Sequence, residues 1–134
     1  MTALLVEPPY PYQSLLGFTM TDWSQDFCRA ELPMGDHLGN RFGLLHGGVY
    51  ASLLDTVMGF CGCYTGSHDD RRLAMTLSLN VNFLSRPKGR MLIGEGRRTG
   101  GGRKTFFAEG QVTDETGEKI ATASGVFRYT SGGG

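Results

Sequence analysis

Residues 75–83 alternate without a break. Met75, Leu77, Leu79, Val81 and Phe83 fall on one side, and Thr76, Ser78, Asn80 and Asn82 on the other. A period of two marks a strand with one dry face and one polar face. That strand extends over 73–84, and three further runs of strand character follow at 90–99, 103–113 and 118–129. Arg86-Pro87-Lys88-Gly89, Gly100-Gly101-Gly102 and Asp114-Glu115-Thr116-Gly117 punctuate the four runs, which read as an antiparallel meander. Ahead of them, Phe18–Trp23 and Phe27–Leu32 read as a hairpin turning near Asp22–Asp26, and residues 12–18 as a short helix after Pro8, Pro9 and Pro11. Pro33–Gly43 is an ordered, turn-rich loop. The strong helix lies at 47–64. At about 100° per residue, Val49, Tyr50, Leu53, Leu54, Val57, Met58 and Cys61 form one broad apolar stripe. Hairpin, long helix and meander together predict an α+β domain whose helix covers one sheet.

The other side of that helix is unusual. Asp55 stands there among Gly48, Ala51, Ser52, Gly59 and Gly62, where an exposed face would carry Lys, Glu, Gln or Arg. Each glycine inside a helix costs about 1 kcal/mol relative to alanine. A face this thin admits a ligand or a second backbone, which is what a site at a subunit boundary needs. The rival reading is a solvated acid among packing glycines. Immediately before the helix stands Gly43-Leu44-Leu45-His46-Gly47-Gly48. Its free N–H groups and the helix dipole favour an anion, or an oxygen that becomes negative during a reaction.

Composition narrows the class. The 134 residues are 40% hydrophobic and 10% aromatic, enough for one real core in one domain spanning 1–134. Within it, 1–16 is read as an N-terminal extension and 131–134 as a disordered polar tail. Thirteen basic residues balance thirteen acidic ones, so there is no basic surplus for nucleic acid. No apolar run reaches about 18 residues, and the N-terminus lacks the basic and apolar regions of a signal peptide, so no membrane partner is expected. Cys28, Cys61 and Cys63 make no disulfide framework and no zinc pattern. They read as reduced, buried thiols of a cytoplasmic protein that needs neither metal nor cofactor.

Asn40-Arg41-Phe42-Gly43-Leu44-Leu45-His46-Gly47-Gly48, followed by Asp55, resembles the signature of hotdog-fold acyl-CoA thioesterases of the PaaI-like, phenylacetate-pathway branch. The similarity runs from about Phe18 to Tyr129. It implies the hotdog fold, one long central helix wrapped by a curved antiparallel sheet of five to six strands. It implies Asp55 as the carboxylate that activates water or attacks directly, and the Gly47 amide as the group polarising the thioester carbonyl. Asn40 and His46 match polar residues that shape the site near that carbonyl. Thr76 falls where relatives carry a Ser or Thr that helps hold the attacking water. His46 also reads as a cap of the helix start, and His37 and His68 as exposed loop residues. No GxSxG is present, which disfavours a Ser-His-Asp triad.

Geometry adds an oligomer. Gly47 and Asp55 are eight residues apart on one helix, about 12 Å at 1.5 Å per residue. One thioester cannot meet both on the same chain. An antiparallel pair of helices in a two-fold dimer, or in a dimer of dimers, would bring Gly47 of one copy to Asp55 of the other. For the phosphates of CoA, Arg103 and Lys104, with Arg97 and Arg98, flank the triple-glycine turn, and Arg86 and Lys88 form a second candidate. The function expected is acyl-CoA hydrolysis. The alternatives are a hotdog hydratase or dehydratase on acyl-CoA or acyl-carrier protein, and a non-catalytic acyl-CoA-binding module.

Overall fold

A computed structural model describes residues 7–130 of the chain. Helix α1 (Pro11–Leu16) leads into strands β1 (Thr19–Ser24) and β2 (Phe27–Pro33). A loop holding one short 3-10 turn, Asp36–Leu38, then precedes helix α2 (Gly47–Cys61). Strands β3 (Ala74–Phe83), β4 (Met91–Gly101), β5 (Thr105–Asp114) and β6 (Lys119–Tyr129) complete the order. All strand pairs are antiparallel, in one six-stranded sheet ordered β1-β2-β4-β5-β6-β3. A single main helix packed on such a sheet is the hotdog architecture. The residues at 131–134, expected as a tail, and those at 1–6 lie outside the described residues.

The stripe read on the helix is its buried face. Val49, Tyr50, Leu53, Leu54, Val57, Met58 and Cys61 are all buried. They meet Leu32, Leu92, Val112 and Ile120, with Phe106 and Phe127 stacked at 5.1 Å between centroids. Each fully buried Leu, Val or Phe contributes about 1.5–3 kcal/mol. The helix lies so close to β4 that a Cβ on Gly96 would sit 2.5 Å from the Val57 carbonyl oxygen. Glycine is required there by that approach.

The meander is only partly present. β4, β5 and β6 follow one another, but β3 pairs with β6 at the far edge, and β4 pairs with β2. The segment 84–90 is therefore a crossover and not a hairpin turn. It is held by the turn between β5 and β6. The Lys88 and Gly89 amides donate to Asp114 Oδ2 at 2.6 and 2.8 Å, and the Arg90 and Met91 amides donate to Glu115. Asp114 is 2% exposed, and its Oδ1 also accepts from the Thr116 hydroxyl and the Thr116 and Glu118 amides. The Thr116 hydroxyl, then the Gly89 and Lys88 amides, hold its carboxyl well below the usual carboxylate range against the opposing effect of burial.

The strict alternation in β3 is also interrupted. A bulge between Thr76 and Ser78 shifts the register, so Thr76 pairs with Phe127 while Leu79, Val81 and Phe83 pair with Gly125, Ala123 and Ala121. Paired residues share a face, so Thr76 joins Leu79, Val81 and Phe83 on the helix side. Met75 moves to the face of Ser78, Asn80 and Asn82. Nor is the apolar side dry within one chain. Met75, Leu77 and Phe83 are 52%, 55% and 60% exposed, because β3 is an edge strand that only β6 flanks.

Candidate active site

Asp55 is half-buried on α2, on the side away from the core stripe. The bulge in β3 turns Thr76 toward it, and the Thr76 hydroxyl donates to Asp55 Oδ1 at 2.6 Å. That bond spends the threonine's one proton and leaves Oδ2 free for another partner. Both residues stand at the wall of a cavity of 310 Å³ that opens toward the helix C-terminus. Tyr10, Trp23, Phe60 and Phe127 supply its aromatic walls.

The remaining residues of the motif lie at or before the start of α2. His46 is the N-cap, with Nδ1 accepting from the Gly48 amide at 2.8 Å. Asn40 ties the preceding loop into a turn, its Oδ1 accepting from the Phe42 and Leu44 amides at 2.8 and 3.1 Å. The Gly47 amide has no acceptor among the described residues. It is the first residue of the helix, so it offers its N–H where the helix dipole is positive. Within one chain, Asp55 and Thr76 come together, and His46 caps the helix start at Gly47 and Gly48, while Asn40 bonds only within the loop before it. The two groups are separated by about 12 Å of helix.

The thin helix face is divided. Ser52 donates to the Gly48 carbonyl, so the Tyr12 hydroxyl donates to Ser52 Oγ, at 2.6 Å. Through this bond α1 covers part of the face. Gly62 is a packing glycine: it caps the helix, and a Cβ there would meet the Phe106 ring at 2.5 Å. At Gly62 the packing reading is the correct one. Gly47, Gly48 and Ala51 remain on the uncovered side with Asp55, beside exposed Phe42, Leu44 and Phe83.

The basic candidates are spread. Arg103 and Lys104 are exposed and share a shallow recess of 510 Å³ with Arg128, Met75 and Tyr129. Arg128 pairs with Met75, so this recess lies on the outer face of the sheet, opposite the face that carries Thr76 and Asp55. Lys88 pairs with Glu118 at 3.2 Å and lines a recess under the Asn40 loop, while Arg86 is exposed. Arg97 stacks on Phe27 on the outer side of the sheet, away from Asp55. Arg128, Tyr10, Trp23 and Phe60 were not singled out in the sequence. Alternation through 118–129 places Arg128 opposite Phe127 and could have flagged it. Tyr10 follows two prolines outside any periodic segment and gives no such signal. Among the described residues no three His, Cys, Asp or Glu side chains converge on one point. All three cysteines are unpaired and buried, and burial pushes the Cys61 and Cys63 thiols up to about 12 and about 11. Among the described residues, no helix is long and apolar enough to cross a membrane.

Comparison with known proteins gives this arrangement a context. The family model described as the thioesterase superfamily matches residues 42–121. A Mycobacterium tuberculosis protein whose name proposes an esterase is 25% identical over 112 residues, covering 83% of this chain and 80% of its own. The solved structure of a Bacillus halodurans protein with CoA superposes with a TM-score of 0.76 at 26% identity, over 90% of this chain and 78% of that one. The Escherichia coli PaaI protein, from the phenylacetic acid degradation operon, superposes with a TM-score of 0.78. It covers 90% of this chain and 85% of its own, and at 16% identity it shows the shared fold alone.

Proposed function

Because the chain belongs to the thioesterase superfamily and has its hotdog fold, we propose that it hydrolyses the thioester of an acyl-CoA, using Asp55 of one subunit and the Gly47 amide of a second. The family and the names of its relatives support a hydrolase. The finer reading is carried by one observation: the 2.6 Å hydrogen bond from Thr76 to Asp55 at the wall of an aromatic cavity.

A thioester has a good leaving group, so hydrolysis needs a polarised carbonyl, a placed nucleophile and little else. Thr76 fixes Asp55 through Oδ1, and Oδ2 faces the substrate. There it takes a proton from water as the water attacks the carbonyl carbon, or attacks that carbon itself to give an anhydride that water then opens. In both routes the C–S bond breaks and the thiolate leaves with CoA. The developing oxyanion needs a donor, and the free N–H of Gly47 at a helix N-terminus is suited to that task. His46 and Asn40 hold that N–H in place through the cap and the loop turn. Since one chain separates Gly47 from Asp55, the carbonyl sits between two chains. The exposed apolar edge around Leu77 and Phe83 supports such a pairing.

CoA as the thiol carrier draws support from the relative solved with CoA. Arg103 and Lys104, joined by Arg128, are the first choice for its phosphates, and Arg86 with Lys88 the second. The unpaired, buried thiols suit a reducing cytoplasm. The test is a panel of acyl-CoAs assayed for free thiol, with wild type and Asp55→Asn side by side. Release of thiol that depends on Asp55 supports the proposal. Hydration of an enoyl-CoA without thiol release would replace it with a hydratase, and binding without turnover would replace it with an acyl-CoA-binding module.

A further inference from the structure

Residues 7–10 belong to no periodic segment, yet the fold carries them to the cavity beside Asp55, where Glu7 and Tyr10 form part of the wall. Tyr10 is held there by its neighbours in the chain. Pro9 and Pro11 flank it, and a residue before proline is confined to extended backbone. Its φ of −89° and ψ of 165° are of that kind. It stands as the N-cap of α1, its carbonyl accepting from the Ser14 amide at 3.0 Å. The ring lies edge-on to buried Phe18 at 6.1 Å. The segment is tied down on either side of it. Arg71 pairs with Glu7 at 3.2 Å, and Tyr12 donates to Ser52 on α2 at 2.6 Å.

From this position the Tyr10 hydroxyl meets the Thr56 hydroxyl, one residue along α2 from Asp55. Thr56 gives its own proton to the Ser52 carbonyl at 2.8 Å, so toward Tyr10 it can only accept. The phenolic O–H is thereby fixed on Thr56, and the lone pairs of the phenol oxygen are left for another donor. Burial raises the Tyr10 pKa, the Thr56 hydroxyl opposes that shift, and the nearby Asp55 charge adds to it, so the group stays a phenol at neutral pH. Thr76, by contrast, gives its proton to Asp55 Oδ1 at 2.6 Å and fixes the acid.

Resting on the thioesterase reading above, we infer that Tyr10 is a further catalytic residue: its hydroxyl oxygen and Asp55 Oδ2 together hold the attacking water. Both groups line the same cavity. Water has two protons to place. One is directed at Asp55 Oδ2 and the other at the Tyr10 oxygen, which leaves a lone pair free for the carbonyl carbon. As the new C–O bond forms, the first proton passes to Asp55 and the carbonyl π electrons move onto the carbonyl oxygen. When the C–S bond breaks, the thiolate leaves with CoA and the acid keeps the second proton. Tyr10 takes no proton and loses none. It orients the water, so its contribution is that of one hydrogen bond.

Tyr10→Phe keeps the ring and removes the oxygen. Thiol release from one acyl-CoA should show kcat lower by about 3- to 10-fold, the range for one neutral hydrogen bond, with KM unchanged. Thr56→Val frees the phenol to turn and should lower kcat by a similar factor. The double variant should be no slower than the slower single one, because both changes break one arrangement. Tyr12→Phe is the control. It removes the 2.6 Å bond from the same segment to Ser52 and should leave kcat at the wild-type value. A folded Tyr10→Phe enzyme as fast as wild type overturns the inference. So does an equal fall in kcat for Tyr12→Phe, since the segment would then act only as a brace. If Tyr10→Phe does not fold, Thr56→Val decides, and wild-type kcat in that variant overturns the inference. In each of these cases thiol release that depends on Asp55 keeps the hydrolase reading intact. A wild type that releases no thiol overturns both.

Discussion

In the proposed mechanism Asp55 and Thr76, joined by a hydrogen bond, act as a pair, and their substitutions should differ in degree. Asp55→Asn keeps size and removes the base, so kcat should fall by at least about 100-fold with fold and assembly unchanged. Thr76→Val keeps shape and removes the 2.6 Å bond to Oδ1. A hydrogen bond to a charged group is worth about 1.5–3 kcal/mol, so kcat should fall by about 10- to 100-fold with little change in KM. Steady-state kinetics on one acyl-CoA measures both. A folded Thr76→Val enzyme slower than Asp55→Asn would reverse the assigned roles. Asp55 was legible in the sequence because it is the one charged residue in a helix otherwise bare of charge. Thr76 was legible only by resemblance. Strict alternation alone puts it on the polar face, and the bulge that returns it to the helix leaves no mark in residue type. The place of Tyr10 in the cavity wall was not legible at all, since a loop residue takes its surroundings from the elements it lies against.

Among the elements, the crossover between β3 and β4 depends on the turn that follows β5. Asp114 and Glu115 accept main-chain amides of residues 88–91; the Thr116 hydroxyl and then the Gly89 and Lys88 amides hold the Asp114 carboxyl below its ordinary range, and the Arg90 and Met91 amides do the same for Glu115. A carboxyl whose pKa is lower in the folded state stabilises the fold fully above its unfolded value, which for Asp114 is 3.8. That stability is lost as the pH falls below this value. Chemical denaturation of the wild type should therefore show stability dropping steeply once the pH falls below about 4. Asp114→Asn should be less stable at pH 7 and flatter with pH across that window. Equal slopes for the two proteins would remove Asp114 from this role. The strands themselves were legible from periodicity and punctuation, and so was the helix with its buried stripe. Their pairing was not. A period of two tells which face a residue is on and not which strand lies beside it. Asp114-Glu115-Thr116-Gly117 looks like an ordinary hairpin turn until residues 88–91 are seen to donate to it.

The whole molecule leaves its functional groups half assembled. Each chain holds a carboxylate midway along α2 and a free amide at the helix start, beside an edge strand with Leu77 and Phe83 exposed. On the proposed mechanism a second copy completes the site, and the spacing along one helix argues for that oligomer from the sequence. Asp55→Asn removes the base and leaves the helix start intact, whereas Gly47→Val crowds the helix start beside Phe83 and leaves Asp55 intact. Each variant alone should be nearly inactive. In a mixed dimer, one site receives both defects and the other receives none. The most direct measurement is thiol release after the two inactive proteins are mixed under conditions that exchange subunits, with exchange followed by mass labelling. Random pairing makes about half the dimers mixed, each with one good site, so about a quarter of wild-type activity should return. No recovery despite proven exchange would contradict a site shared between Asp55 and Gly47 of different chains.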